Sequence, residues 1–448
     1  MSESVTPEEL KEKAMKPAQD ALKMHPYYQG KVQVMPRCVI RDFQDFGIWY
    51  SPGVAAPCLK IKENGDDDSL IYTHRWNTVA VVSDGTRVLG LGNIGPYAGM
   101  PVMEGKALLF KYLGGVDAWP LCIGPNLSAE QIIQVVKWVQ PTFGGINLED
   151  IEKPKCFQVL DTLRADPEVT IPVWHDDQQG TACVTLAGAM NALKIVGKKR
   201  DEVKVVLFGT GASNTAIGRI LSTAGFDSKK CVFVDSQGIV SLDRTDLDEY
   251  KTEIAQKTNG EGLTGTPDVA FNGADMAICL STPGPNTVPA EWVRSMATDA
   301  ILFVCANPTP EIWPWEAKEA GALIVATGRS DFPNQVNNSI GFPGIFRGTL
   351  DVRAKTITDE MCIAAAEELA AVQEDKGLDP DHIVPTMDDW EVFIREAVAV
   401  GLKAEEQGIA RISPSKQELW DTAAAIIKNA RDSTQLLMRE GLIRPYEE

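Results

Sequence analysis

The run KVVLFGTGASNTAIGRIL, residues 204–221, passes from an apolar β-type stretch through two glycines into a stretch with helical spacing. That order decides the fold of the second half of the chain. Gly209 permits the tight turn, and Gly211 lets the backbone approach a pyrophosphate whose charge is met by the N-terminus of the following helix. Ala212, Ser213 and Asn214 open that helix and complete the candidate nucleotide-binding set. Asn214 stands where the usual fingerprint has its third glycine. That glycine serves close helix-to-strand packing, so its replacement weakens the match and leaves the phosphate cradle in place. Asp235 ends the next apolar run, KCVFVD, where a carboxylate bonds ribose hydroxyls and repels a 2′-phosphate, a slight lean to NAD over NADP. Ser236, Arg244 and Lys251 follow, placed where they can fold back toward a phosphate.

Working outward, KVVLFG, KCVFVD, DMAICLS, ILFVCAN and GALIVATG are apolar runs separated by helix-length segments, the pattern of a parallel sheet covered on both faces. The fold class is therefore α/β, with a Rossmann-like, doubly wound NAD(P)-binding domain over residues 176–448 that carries a helical C-terminal extension. Residues 1–175 form a mixed α/β domain. In it, TVAVVSDGTRVLGL (78–91) places β-rich runs around Asp84–Gly85 and predicts an antiparallel hairpin. MEGKALLFKYLGG (103–115) predicts a helix ending on glycines, VDAWPLCI a strand, and Ser128 with Gln131 a capping box. FGGINLEDI (143–151) predicts a short strand. At the start of the chain Thr6, Pro7 and Glu9 have the spacing of a capped helix. The charged stretch Glu368 to Asp381, with Gly377 and Pro380, predicts a loop before a helical C-terminal region.

The 448 residues exceed one ordinary core, and 44% hydrophobic with 23% charged residues is a globular composition. A net charge of −19 repels phosphate backbones and anionic lipid, so neither nucleic acid nor membrane is an expected partner. No apolar run approaches the roughly 20 residues that cross a bilayer. The nine cysteines lack CxxC spacing and mostly lie in apolar runs. They read as reduced, buried thiols of a cytoplasmic protein.

In VTIPVWHDDQQGTACVTLAGAMNAL (169–193) a buried strand ends on the adjacent carboxylates Asp176 and Asp177, whose repulsion calls for a counter-charge. Glu149 and Asp150 end another short strand. Oxygen ligands clustered without cysteine suit Mg2+ or Mn2+. Taken singly, each acid reads more readily as a helix cap or solvated turn, Asp176 above all, and His175 as a hydrogen-bonded structural histidine. Lys106 lies at a glycine-flanked helix start, where desolvation beside a cation would free its proton near neutral pH; a snorkelling surface lysine is the plainer alternative. Tyr50 precedes a Ser-Pro-Gly turn, where most tyrosines only pack.

Together these segments resemble the malic enzyme family in its short form. The matching stretches are YSPGVAAPC (50–58), NTVAVVSDGTRVLGLGNIGPYAGMPVMEGKALLF (77–110), FGGINLEDI (143–151), PVWHDDQQGTA (172–182), ANPTPEI (306–312) and GRSDFPNQVNNSIGFPGIFRG (328–348). The resemblance implies that Glu149, Asp150 and Asp177 hold the divalent metal, that Lys106 is the general base and that Tyr50 is the general acid. It implies that Asn307, Asn337 and Asn338 orient substrate carboxylate and nicotinamide, Asn307 serving both. Asn93 stands where the family usually has aspartate. The implied reaction is oxidation of (S)-malate through oxaloacetate to pyruvate and CO2 with reduction of NAD or NADP, in a homodimer or higher homo-oligomer. Three rivals are weighed against it: an oxaloacetate decarboxylase whose nucleotide domain is a relic because of Asn214, a non-catalytic nucleotide sensor, and an amino-acid dehydrogenase, which has no use for three metal carboxylates.

Overall fold

The computed structural model describes residues 7–446. Two parallel sheets organise it. The first holds β1 (Thr78–Ser83), β2 (Asp117–Cys122), β3 (Gly145–Leu148) and β4 (Val173–His175) in the order β2-β1-β3-β4, all neighbours parallel. The second holds β5 (Val205–Phe208), β6 (Cys231–Asp235), β7 (Gly238–Ile239), β8 (Met276–Cys279), β9 (Ala300–Val304) and β10 (Ala322–Thr327) in the order β10-β9-β8-β5-β6-β7. The five apolar runs expected as strands are β5, β6, β8, β9 and β10, all parallel; β7 is a two-residue antiparallel edge. Strand order reverses between β5 and β8, the switch point where such sheets bind ligands outside the carboxyl ends of their strands.

The hairpin expected at Asp84–Gly85 is not formed. All six residues of β1 are buried, the mark of a strand covered on both faces rather than of an alternating hairpin arm. Gly85, at φ +68°, instead accepts the amides of Ile94 and Gly95 and turns the chain into the helix Gly95–Gly114. A Cβ at Gly85 would lie 2.4 Å from the Gly95 carbonyl. Of the second arm only an isolated bridge, Val88 to Gly92, remains. That helix begins eight residues before the expected MEGKALLF start.

The capping box at Ser128 and Gln131 is formed and opens Ala129–Val139. The first helix, Pro7–Tyr28, is present; its expected cap, Thr6, lies outside the described residues. The charged stretch from Glu368 is helix rather than loop as far as Lys376, because Leu369, Ala370, Val372 and Gln373 face the core of the helix Asp359–Lys376 while the charges face out. Gly377, at φ +107°, ends it. Six cysteines are buried, but Cys38 and Cys58 are exposed and Cys122, at the end of β2, is half-buried, so the expectation of buried thiols holds for six of the nine.

One apolar core runs from Val79 and Val81 through Trp174, Phe342 and Phe346 to β5 and the helix Thr181–Val196. The C-terminal helices Phe342–Asp351 and Lys416–Arg439 pack on Gly95–Gly114. They close the first sheet from the far end of the chain. No helix among the described residues is long and apolar enough to cross a membrane.

Candidate active site

Four acids stand beyond the carboxyl ends of two neighbouring strands, Glu149 and Asp150 after β3 and Asp176 and Asp177 after β4. Both turns have uncommon backbone geometry. Asp150 has φ +55°, and its amide donates to Asp177 Oδ2 at 2.9 Å. Asp176–Gly180 forms a π-helical turn, a geometry common at functional sites. A Cβ at Gly180 would lie 2.0 Å from Asp176 Oδ1, so only glycine fits there. The result brings one oxygen each of Glu149, Asp150 and Asp177 within 4.8 Å of one another.

Their electrostatics fit a hard cation. Burial, then Asp177, pushes the Asp150 carboxyl up to about 8, and burial lifts Glu149 well above the carboxylate range against the pull of Lys106. Asp150 Oδ2 is buried without a hydrogen-bond partner. Three oxygen donors that repel one another and leave a buried lone pair unmet are a donor set of the kind a divalent, oxygen-loving ion takes.

Lys106 is brought to these acids, though from within the helix Gly95–Gly114 rather than from a helix start. Its Nζ lies 2.6 Å from Asp176 Oδ2 and 3.1 Å from Glu149 Oε1, and 4.4 Å above the Phe342 ring. Burial favours the neutral amine, but Asp176 and Glu149 outweigh it and hold the proton more tightly than usual. Asp176 is not a helix cap. It anchors Lys106 and accepts from Trp174 Nε1 at 3.1 Å. His175 also departs from expectation: among the described residues neither ring nitrogen has a hydrogen-bond partner, Nδ1 lies 3.7 Å from Asp177 Oδ2, and burial lowers the pKa of the ring.

Asn307, Asn337 and Asn338 gather at the seam between the sheets. A Cβ at Gly90, in the loop after β1, would lie 2.2 Å from the Asn307 carbonyl, so this loop touches the end of β9. Asn337 Nδ2 donates to the Gly328 carbonyl at 3.4 Å, and the Asn307 amide abuts the same glycine. Asn338 Cβ lies 3.3 Å from the Cβ position of Gly180, against the acidic turn. Tyr50 is not brought in: it is 74% exposed, and no hydrogen bond to its hydroxyl is present among the described residues.

At the second sheet, Gly209 has φ +102°, and a Cβ there would meet the Leu280 carbonyl at 2.4 Å. Gly211 begins the helix Ala212–Thr223 and faces open space. Asn214 is fully buried and donates to the carbonyls of Phe208, Gly209 and Ile278, tying the helix to the ends of β5 and β8. The close approach a third glycine would provide falls to Gly218, where a Cβ would lie 2.5 Å from the Phe233 ring. Gly218 and Gly180 escaped the sequence reading, since a lone glycine inside a helical pattern carries no sign of what it touches.

Two family models cover most of the chain: malic enzyme N-terminal domain over residues 29–164 and malic enzyme NAD-binding domain over 178–405. The chain belongs to the malic enzyme family. It is 46% identical to the bifunctional malic/malolactic enzyme of Bacillus subtilis, over 90% of this chain and 96% of that one. It is 47% identical to the NAD-dependent malic enzyme of Geobacillus stearothermophilus, over 85% and 78%. The crystal structure of Entamoeba histolytica malic enzyme superposes with a TM-score of 0.95 at 48% identity, over 99% of this chain and 93% of that one. NADP-dependent enzymes also stand among the family members it resembles.

Proposed function

We propose that the protein oxidises and decarboxylates (S)-malate to pyruvate and CO2, reducing NAD or NADP, with a divalent cation at Glu149, Asp150 and Asp177. The observation that carries this reading is the meeting of those three acids with Lys106 at the seam where the second sheet presents its phosphate cradle. Bound there, Mg2+ or Mn2+ supplies a Lewis acid for the hydroxyl and carboxylate oxygens of the substrate. The dinucleotide supplies the hydride acceptor. Lys106 takes the hydroxyl proton at Nζ, and Asp176 positions that nitrogen. Of the two anchors that hold its proton, Glu149 is also a ligand, so engaging Glu149 weakens the hold. Asn307, Asn337 and Asn338 orient the substrate carboxylate and the nicotinamide between the lobes. Tyr50 returns a proton to C3 after CO2 departs.

An exposed Tyr50 cannot act alone in water. It belongs to an N-terminal arm that leaves Val34 at 73%, Phe43 at 87% and Leu59 at 65% exposure, far more apolar surface than a monomer keeps. Covering this arm with a second copy removes Tyr50 from solvent, which is the support for a homodimer or higher homo-oligomer. The rival decarboxylase gains nothing from Asn214, whose side chain turns inward and leaves the cradle open.

The test is an assay of reduced-nucleotide absorbance with malate, each nucleotide and each metal. Turnover is expected to need malate and a cation and to vanish in Asp177→Asn. Turnover that survives chelation, or manganese-soaked crystals without an anomalous peak at the three acids, would refute the reading.

A further inference from the structure

Of the three acids proposed to hold the cation, Asp150 alone has a left-handed backbone, at φ +55°, a conformation that a residue other than glycine keeps only where its surroundings fix it. The loop after β1 supplies that support. The Arg87 amide donates to the Asp150 carbonyl at 3.0 Å, and the Glu152 amide donates to Thr86 Oγ1 at 3.0 Å. Two neighbouring residues of one loop thus grip the turn that carries Asp150.

Thr86 is held in turn by Asp84. Its hydroxyl donates to Asp84 Oδ1 at 2.6 Å, and its amide donates to the same oxygen at 3.2 Å. A hydroxyl has one proton to give, so with that proton committed to Asp84 the oxygen turns its lone pairs to the Glu152 amide. Asp84 Oδ2 accepts Lys155 Nζ, from the first residue of the helix Lys155–Ala165, and Lys155 also donates to the Leu127 carbonyl at 3.3 Å. Asp84 is fully buried and Thr86 only 5% exposed. An ion pair with Lys155 would by itself anchor that helix. The second oxygen, spent on Thr86 and through it on the acidic turn, serves no such purpose.

We infer that Asp84 is a positioning residue for the proposed metal ligand Asp150, acting through the Thr86 hydroxyl to fix the turn that brings the Asp150 carboxylate beside Glu149 and Asp177. The inference rests on the proposed cation site and deepens it: neither Asp84 nor Thr86 is a ligand, and both set how tightly the ion is held. Gly85, between them, accepts the Ile94 and Gly95 amides at the start of the helix that bears Lys106. The test must therefore separate an effect on the acidic turn from one on the base.

The experiment measures Mn2+ binding to the metal-free protein by the paramagnetic resonance of free Mn2+, with thermal melts of the same samples and kcat at saturating Mn2+. The proteins are wild type, Thr86→Val, Thr86→Ser and Asp84→Asn. Thr86→Val keeps the shape of threonine and removes the hydroxyl. It is expected to weaken Mn2+ binding by about 10- to 100-fold, the usual cost of removing a group that orients a metal ligand. Its kcat at saturating Mn2+ is expected to stay within about 3-fold of wild type, because the loss lies in binding. Thr86→Ser retains the hydroxyl and is expected to bind Mn2+ within about 3-fold of wild type. Asp84→Asn is expected to lose at least as much affinity as Thr86→Val; since it leaves Lys155 without its counter-charge, Thr86→Val decides alone where Asp84→Asn does not fold. Unchanged Mn2+ affinity in Thr86→Val, whatever its melt, overturns the inference and leaves Asp84 as the anchor of a helix. An equal loss in Thr86→Ser overturns it too, because the hydroxyl is then not the link. A low kcat at saturating Mn2+ with affinity intact assigns the effect to the Lys106 helix and likewise overturns it. A wild type that binds no Mn2+ is a different failure, which removes the cation site itself and the inference with it.

Discussion

The two sheets present ligand sites by the same device, the carboxyl ends of parallel strands, and with opposite treatment of charge. At the first, four acids after β3 and β4 face one buried lysine, and the excess is left standing with only Asp177 partly open to water. At the second, Asp235 is matched by two cations, and the loop before the helix offers open space instead of charge. The first site carries unbalanced negative charge; the second is balanced. Chemistry that moves protons and electrons needs the former, and recognition of a carrier needs the latter.

The most severe way to break this contrast is at Lys106. Lys106→Met removes the proposed proton acceptor and is expected to lower kcat by about 10²- to 10⁴-fold, the usual worth of one general base. Nucleotide binding at the other sheet is expected to remain within about 2-fold, since nothing there depends on the amine. A kcat unchanged by this substitution would mean that the lysine only balances charge.

Gly180→Ala tests whether the acidic turn works by position. The added Cβ would meet Asp176 Oδ1, and that carboxylate is what places Nζ of Lys106. A displacement near 1 Å is expected to lower kcat by about 10²-fold with the protein still folded. Full activity, measured beside an unchanged thermal melt, would show that Asp176 has room to spare.

The glycines of the second sheet sharpen the comparison, because two of them do different work on one helix. At Gly211 a Cβ meets open space and would stand where the pyrophosphate belongs, so Gly211→Ala is expected to fold as wild type and raise the nucleotide KM by about 10-fold. At Gly218 a Cβ meets the Phe233 ring, so Gly218→Ala is expected to lose about 1–3 kcal/mol of stability from overpacking with little change in KM. Denaturant titration and steady-state kinetics on both variants check the pair. An exchange of the two effects would reverse the assignment of cradle and packing roles.

How much of this was legible follows from the range of each signal. The five strands of the second sheet and the glycine turn were readable because buried parallel strands are unbroken apolar runs and the turn is local. The three carboxylates proposed to hold a metal were readable as types at strand ends, but their convergence depends on β3 and β4 being neighbours, which no single segment states. The hairpin error came from giving Asp84–Gly85 its commonest meaning when the burial of β1 on both faces required a crossover instead. The pairing of Asp176 with Lys106 joins residues 70 apart, and the Asp235 clamp depends on Arg244 and Lys251 folding back, so both belong to tertiary structure.

The smallest effect concerns a second acid at the mouth of the second sheet. Glu311 is buried, its carboxylate accepting the Ser281 and Ala306 amides, and burial pushes its pKa up to about 7 from an ordinary 4.5 despite those bonds. The sign follows from proton binding. Between these values the folded chain holds a proton on Glu311 that the unfolded chain has released, so folding is relatively favoured below 4.5 and the advantage is lost as pH rises toward 7. Above that the charged, buried carboxylate costs at most about 3 kcal/mol. Glu311→Gln cannot ionise, so its stability relative to wild type is expected to improve by up to that amount between pH 5 and pH 8, a shift of a few degrees in Tm for a chain this long. Parallel pH profiles for the two proteins would show instead that the two amides hold Glu311 charged, as Arg244 and Lys251 hold Asp235, and the second sheet would then keep each of its acids by supplying donors in advance.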